Sequence, residues 1–181
     1  SILVLPIVSD STMEGERGGP LISLLQLLPG NSLKSMPCFP EGMSETLIRN
    51  IIFGAVRGLN YLYQNGCIHR SIKASHILIS GDGLVTLSGL SHLHSLVKHG
   101  QRHRAVYDFP QFSTSVQPWL SPELLRQDLH GYNVKSDIYS VGITACELAS
   151  GQVPFQDVHR TQMLLTETER FVIKVSVRFG S

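Results

Sequence analysis

The pattern of apolar and polar residues predicts a long amphipathic helix in the first half of the chain. Its apolar positions lie three or four residues apart, at Leu47, Ile51, Ala55, Leu59 and Leu62. That spacing aligns them on one helical face, which can pack against a core. Ser44 is a suitable N-cap, with Glu45 in the first turn. Asn65 and Gly66 end the helix, because glycine adopts the left-handed conformation without steric cost.

Two apolar runs after this helix predict a β-hairpin. Residues 77–79 and 84–87 are rich in isoleucine, leucine and valine, and they flank the turn residues Gly81, Asp82 and Gly83. Short β-branched runs around such a turn are typical of paired antiparallel strands. The connection between the helix and the hairpin is therefore a loop.

A second helical pattern lies further along the chain. Its apolar positions are Ile138, Val141, Ala145 and Leu148. The pattern ends at Gly151, with Pro154 just beyond it, and we expect this helix to be the buried centre of the domain. Residues 90–120 show little periodicity and exceed the length of most ordered loops, so we expect a functional or mobile segment there.

Composition changes this picture little. The chain has 181 residues, of which 42% are hydrophobic and 16% charged, which favours one folded domain over a disordered protein. The net charge of +1 gives no basic field for a nucleic acid or an anionic membrane. Cys38, Cys67 and Cys146 are odd in number and far apart, so we expect free thiols in the cytoplasm or nucleus. The apolar runs at 2–8 and 21–28 are too short to span a membrane.

The loop before the hairpin carries the most informative motif. Residues 69–76 read HRSIKASH and follow the catalytic-loop pattern of protein kinases, H-R-D-L-x-x-x-N, at His69 and Arg70. Ser71 stands at the position of the catalytic aspartate, and His76 at that of the asparagine. In kinases the aspartate accepts the proton of the substrate hydroxyl and the asparagine holds Mg²⁺. Ser71 is not a credible base, since that role requires an alkoxide and nothing nearby in sequence activates it.

Further landmarks follow in the order that kinases have them. Gly89, in the run LSGLS of residues 87–91, stands where the D-F-G motif has its metal-binding aspartate. Ser121, Pro122 and Glu123 resemble the A-P-E motif that closes the activation segment, and residues 135–142 resemble the helix that follows it. With these landmarks the chain resembles the STE20-related adaptor pseudokinases, the STRAD family, and within it the beta branch.

The resemblance implies a fold and a division of the chain. It implies a protein-kinase-like C-lobe that is mainly α with a small β-hairpin, an α+β fold. Residues 39–165 would form this partial pseudokinase lobe, between a divergent N-terminal segment, 1–38, and a divergent tail, 166–181. We expect the small ATP-binding N-lobe to be absent, because no glycine-rich G-x-G-x-x-G loop and no V-A-I-K lysine precede residue 39.

The same resemblance assigns roles to the residues that are kept. His69 would be structural, and Arg70 would bind either a phosphate of the activation segment or a carboxylate. Lys73 is the third retained frame residue; without the aspartate it is equally well explained as a solvated lysine. His76 is better explained by packing or hydrogen bonding than by catalysis, so no residue is predicted to be catalytic.

Two carboxylates are predicted to be structural. The resemblance implies that Asp137 accepts hydrogen bonds from the backbone of the catalytic loop. Glu123 would pair with an arginine from later helices, for which Arg170 and Arg178 are candidates by charge alone.

A histidine string offers a metal alternative. His92, His94, His99 and His103 lie close together in sequence, but no cysteine or carboxylate accompanies them inside the string. We favour a solvated loop over a zinc site and predict no metal.

The function that the resemblance supports is that of a binding module. It implies an adaptor that allosterically activates a partner serine/threonine kinase of the liver kinase B type, together with a helical-repeat scaffold protein. Aromatic residues and arginines dominate interface energies, and the contact candidates are Arg102, Arg104, Tyr107, Phe109, Phe112, Gln117 and Trp119. One alternative is a weak ATP-binding serine/threonine kinase, and another is an unstable splice product without function. No cofactor is predicted; family members bind ATP without metal, but through the small lobe.

Overall fold

A computed structural model describes residues 31–32, 43–80, 83–108, 116–127 and 129–155. Its helices are α1 (Glu45–Gln64), α2 (Pro122–Leu125) and α3 (Lys135–Ser150). Its strands are β1 (Asn31–Ser32), β2 (Cys67–Ile68), β3 (Ile77–Ile79), β4 (Val85–Leu87), β5 (His94–Ser95), β6 (Val97–Lys98) and β7 (Gln101–Arg102). Short 3-10 turns cover Ala74–His76, Leu90–His92 and Gln117–Trp119.

The first helix forms as the apolar pattern predicts. It begins after Ser44 and ends at Asn65, and Gly66 has the left-handed backbone that stops it (φ 72°). Ser44 makes no side-chain capping bond; instead, Met43 N–H donates to Leu148 O at 3.0 Å, which ties the start of α1 to α3. The predicted face is the buried one, and it packs against α3 and β4.

The predicted hairpin is present, and a third strand joins it. β3 and β4 pair antiparallel with Ile77 opposite Leu87, and β1 pairs with the other edge of β3, with Asn31 opposite Ile79. Sequence reasoning did not find β1, because a two-residue strand has no periodicity. It adds hydrogen-bonding partners to an edge that would otherwise expose backbone N–H and C=O groups.

The helix predicted from Ile138 to Leu148 is confirmed as α3, with one correction to its buried face. Ile138, which the pattern placed on the apolar stripe, is 42% exposed. Val141 of the same stripe is buried as predicted, and Asp137 is buried with it, since residues four apart lie on the same side of a helix. The buried face of α3 is therefore partly polar, and Asp137 points toward the catalytic-like loop.

The segment after the hairpin is more regular than its sequence indicated. It contains β5, which pairs antiparallel with β2 from before the hairpin, and the antiparallel pair of β6 with β7. Val106 forms an isolated bridge to Tyr132 further along the chain. A second core cluster lies beneath it, formed by Ile68, Leu96, Val106, Val116, Leu120, Leu124, Leu125 and Tyr132. Periodicity failed here because two-residue strands are too short to show one. Residues 109–115 lie outside the described part of the chain.

Within the described ranges, no helix has the length and apolar character needed to cross a membrane.

Candidate functional site

The loop of residues 69–76 connects β2 to β3 and is anchored by Asp137 of α3. His69 N–H donates to Asp137 Oδ2 and Arg70 N–H to Asp137 Oδ1, both at 2.8 Å. Burial raises the pKa of Asp137 to about 6, although these bonds act in the opposite direction. Arg70 has a left-handed backbone (φ 66°), which the two bonds to one carboxylate help to hold. This is the bracing arrangement that the family resemblance implies.

His69 is a neutral, buried part of this loop. Its Nε2 lies 3.0 Å from Ser88 O, and because a carbonyl only accepts, Nε2 carries the proton. Burial lowers the pKa of His69 to about 3, so the ring is uncharged at neutral pH. Its other nitrogen, Nδ1, accepts from Ser71 N–H at 3.3 Å. His69 thus links the loop to the end of β4.

Ser71, at the position of the catalytic aspartate, is buried and already bonded. Its Oγ donates to Gly89 O at 2.7 Å and lies 3.3 Å from His69 Nδ1. The structure thus places a histidine nitrogen beside the Ser71 hydroxyl, which the sequence did not indicate. The pair still lacks the properties of a nucleophile, because His69 is a weak base and the hydroxyl proton points to Gly89. Both side chains are also closed to solvent.

His76 and Gly89, at the two metal-binding positions, fit against each other. His76 Nδ1 donates to Ser71 O at 2.6 Å, which fixes the ring. A Cβ built on Gly89 would lie 2.5 Å from that Nδ1 and within 2.7 Å of two ring carbons. The imidazole therefore occupies the space in which a side chain at position 89 would begin. Gly89 also has a left-handed backbone (φ 73°).

The histidine string does not gather into a metal site. Among the residues that the structure describes, no three His, Cys, Asp or Glu side chains are placed to hold an ion. His94 Nδ1 lies 3.8 Å from Asp108 Oδ2, while His99 and His103 are exposed around the β6–β7 hairpin.

Arg70 pairs with a carboxylate, one of the two partners that the resemblance allowed. Its Nη1 lies 3.1 Å from Asp108 Oδ2, and its Nε donates to His92 O at 2.6 Å. Tyr132 Oη donates to Asp108 Oδ1 at 3.1 Å. Sequence reasoning missed Asp108, although a signal existed: it is the one acidic residue between positions 83 and 122.

Lys73 and Trp119 meet beside a carboxylate of α3. Lys73 Nζ lies 5.7 Å from the centroid of the Trp119 ring, a distance compatible with a cation–π contact. Trp119 Nε1 donates to Glu147 Oε2 at 2.9 Å, and Ala74 N–H donates to the same oxygen at 3.3 Å. Burial raises the pKa of Glu147 above its usual value, although these two bonds and the charge of Lys73 act in the opposite direction. Glu147 was another residue that sequence reasoning missed.

The predicted contact residues divide between surface and interior. Arg102, Arg104 and Tyr107 are exposed, Tyr107 by 74%, and Arg102 donates to Tyr63 O at the end of α1. Gln117 is half-buried. Trp119 is only 8% exposed and bonded to Glu147; its burial corrects the expectation that it lies on a contact surface. Phe109 and Phe112 lie outside the described residues.

Glu123 bonds to the start of α3. Its Oε1 accepts from Ser136 Oγ at 3.1 Å, and Ser136 Oγ lies 2.6 Å from Ser121 Oγ. The proposed arginine partners, Arg170 and Arg178, lie outside the described residues.

Comparison with known proteins identifies the class. The family described as Protein kinase domain matches residues 16–179, so the chain belongs to the protein kinase domain family. The chain is 98% identical over 127 residues to STE20-related kinase adapter protein beta of Homo sapiens, covering 70% of this chain and 30% of that protein. It is 94% identical to the Mus musculus protein of the same name, with the same coverage. To STE20-related kinase adapter protein alpha of Bos taurus it is 59% identical over 136 residues, 74% of this chain and 36% of that protein.

These findings confirm the resemblance to the STE20-related adaptor branch and the kinase-like fold class. The chain spans about a third of the length of the curated relatives it matches. The family match covers residues 16–179, a wider range than the predicted kinase-like part, 39–165. The narrower bounds stay a prediction.

Proposed function

We propose that this chain is a pseudokinase binding module that binds and allosterically activates a serine/threonine kinase of the liver kinase B type, assisted by a helical-repeat scaffold protein. Its relatives are named kinase adapter proteins, which supports a partner kinase in general terms. The main support for a chain without phosphoryl-transfer activity is the close approach of His76 to Gly89. The imidazole of His76 fills the space in which a metal-binding side chain at position 89 would begin.

Phosphoryl transfer requires groups that this loop does not offer. Metal ions neutralise the developing charge, and a carboxylate base accepts the substrate proton. Neither 69–76 nor 87–91 contains an aspartate or glutamate, and Ser71 Oγ is bonded to Gly89 O. On this proposal, the function of the chain requires neither a bound metal ion nor a bound nucleotide.

An adaptor needs only a surface that favours one state of its partner. A ligand that binds the active state of a kinase more tightly than the inactive state shifts the population toward activity. The exposed side chains of Arg102, Arg104 and Tyr107 suit such a surface. Phe109, Phe112 and Gln117 are further contact candidates by residue type. The free thiols of Cys67 and Cys146 support a cytoplasmic and nuclear setting.

The test is co-purification of this chain with the partner kinase and the scaffold. Tyr107→Ala and Arg104→Ala should each reduce capture of the kinase about tenfold or more, the loss that hot-spot residues show. Phe53→Ala is the matched control, because Phe53 is an aromatic residue on α1 with a similar exposure of 65%. Circular dichroism of each variant would show that the fold is kept. Unchanged capture by both Tyr107→Ala and Arg104→Ala would refute the proposed surface.

A further inference from the structure

A charged cluster joins the catalytic-like loop to the segment that carries the proposed contact surface. Arg70 comes from the loop, and Asp108 comes six residues after the end of β7. Arg70 Nη1 lies 3.1 Å from Asp108 Oδ2 and 3.0 Å from Tyr132 Oη. Tyr132 Oη completes the triangle by donating to Asp108 Oδ1 at 3.1 Å.

The surroundings of Asp108 are those of an ionised acceptor. Burial by itself would raise the pKa of Asp108, but Arg70, Tyr132 and His94 outweigh it, so that the pKa lies below its usual value. Each carboxylate oxygen has a donor: Arg70 on Oδ2 and Tyr132 on Oδ1. His94 lies 3.8 Å from Oδ2, but burial and the charge of Arg70 lower its pKa. A second Arg70 atom, Nε, is fixed on His92 O.

The backbone beside Asp108 is fixed at the same place. Val106 and Tyr132 exchange two backbone hydrogen bonds of 2.8 and 2.9 Å. Val106 is buried in the second core cluster, whereas Tyr107 between it and Asp108 is exposed. The segment is therefore held on both sides of Tyr107, by a backbone bridge at 106 and a charged cluster at 108.

We infer that Asp108 is a built-in substitute for an activation-segment phosphate, which neutralises Arg70 and holds residues 94–108 in place without phosphorylation. In protein kinases, phosphorylation orders the activation loop by creating new arginine–phosphate pairs. A carboxylate supplies the same two features at smaller charge: a negative group for the arginine and several acceptor lone pairs. Asp108 is thus a positioning residue for Tyr107. The ordering of residues 94–108 is independent of the proposed function, whereas a role of Tyr107 in partner binding rests on it.

Hydrogen exchange on the free chain tests the inference without any partner. Asp108→Asn keeps the shape and removes the charge. It should speed amide exchange in 94–108 by up to about fivefold, the upper end of the range for an ion pair whose carboxylate is half-exposed. Tyr132→Phe, which removes one hydroxyl, should give a smaller rise in the same region. Glu45→Gln is the matched control, since Glu45 is an exposed acid in the first turn of α1, and it should leave 94–108 unchanged.

A second arm separates the carboxylate from a real phosphate. The chain isolated from eukaryotic cells should show the same protection in 94–108 before and after phosphatase treatment. Loss of protection after phosphatase would overturn the inference, as would unchanged exchange in Asp108→Asn. A rise spread evenly over α1 and α3 would also overturn it, because Asp108 would then serve general stability. If the exchange results hold and the kinase is not captured, the proposed function fails and this inference stands.

Discussion

Gly89→Ala tests whether the His76 ring fills the space beside position 89. The new Cβ would lie 2.5 Å from His76 Nδ1, far inside normal contact. The ring cannot easily retreat, because Nδ1 is bonded to Ser71 O at 2.6 Å. We expect Gly89→Ala to lower the free energy of unfolding through this overlap and through its backbone conformation.

The two contributions can be separated with a second glycine. An L-residue with a left-handed backbone costs about 1–2 kcal/mol, and overpacking a filled site costs about 1–3 kcal/mol more. Gly100 has nearly the same backbone, φ 76° against 73°, but no atom of the described residues lies within 4 Å of the place that a Cβ would take there. Gly100→Ala therefore carries the backbone cost alone, and the difference between the variants measures the overlap with His76.

We would make each glycine variant in the native and in the His76→Ala background. Urea denaturation then measures the free energy of unfolding of each protein. We expect Gly89→Ala to cost about 1–3 kcal/mol more than Gly100→Ala in the native background. That excess should vanish in the His76→Ala background, where the ring is gone. An equal cost for the two variants, or an excess that survives removal of the ring, would refute the packing argument.

Three further predictions concern the residues around the loop. Asp137→Ala should lower the free energy of unfolding by about 2–6 kcal/mol in urea denaturation, since the N–H groups of His69 and Arg70 lose their acceptor at about 1–3 kcal/mol each. Glu45→Ala is the exposed control, and a similar small effect for both would contradict the bracing role. The pKa of His69 is lowered to about 3 in the folded state. Its neutral ring therefore stabilises the fold fully above about pH 6.5, the pKa of histidine in the unfolded state, and this stabilisation is lost as the pH falls toward 3. Asp137, with its pKa raised to about 6, has the opposite effect on the pH dependence of stability. Its titration stabilises the fold fully below about pH 4, and this stabilisation is lost as the pH rises through 6. His69→Gln should therefore make the slope of stability against pH more negative by up to about 1.4 kcal/mol per pH unit between pH 4 and 6, and an identical slope in both proteins would show that His69 is not held neutral. Trp119→Phe should cost about 1–3 kcal/mol of stability, because Glu147 loses a buried donor, and should leave capture of the partner kinase unchanged; reduced capture by a folded variant would return Trp119 to the contact surface.

The elements that sequence could predict are those with a long repeat. α1 and α3 each contain several turns, so their apolar spacing and terminal glycines were sufficient to place them. The hairpin followed from two apolar runs around a turn. β1 and the strands between residues 94 and 102 are two residues long, and no periodicity can exist over that length.

The candidate site was predictable in its motif and not in its contacts. His69 and Asp137 could be placed because the family pattern fixes their relation. The contact of His76 with Gly89, the ion pair of Arg70 with Asp108 and the bond from Trp119 to Glu147 join positions that are far apart in sequence. Such contacts depend on how the elements pack. Trp119 was misjudged for the same reason, since its residue type suits an interface as well as a core.

The most direct test of the central claim is a phosphorylation assay with the purified chain, a kinase of the liver kinase B type, the scaffold protein, ATP and Mg²⁺. We predict that the chain raises the rate of the active kinase, that Tyr107→Ala removes most of this increase, and that Phe53→Ala preserves it. With a catalytically dead form of the partner, phosphate transfer should stay at background. Mg²⁺-dependent transfer in the presence of the dead partner, or no stimulation of the active one, would contradict the account.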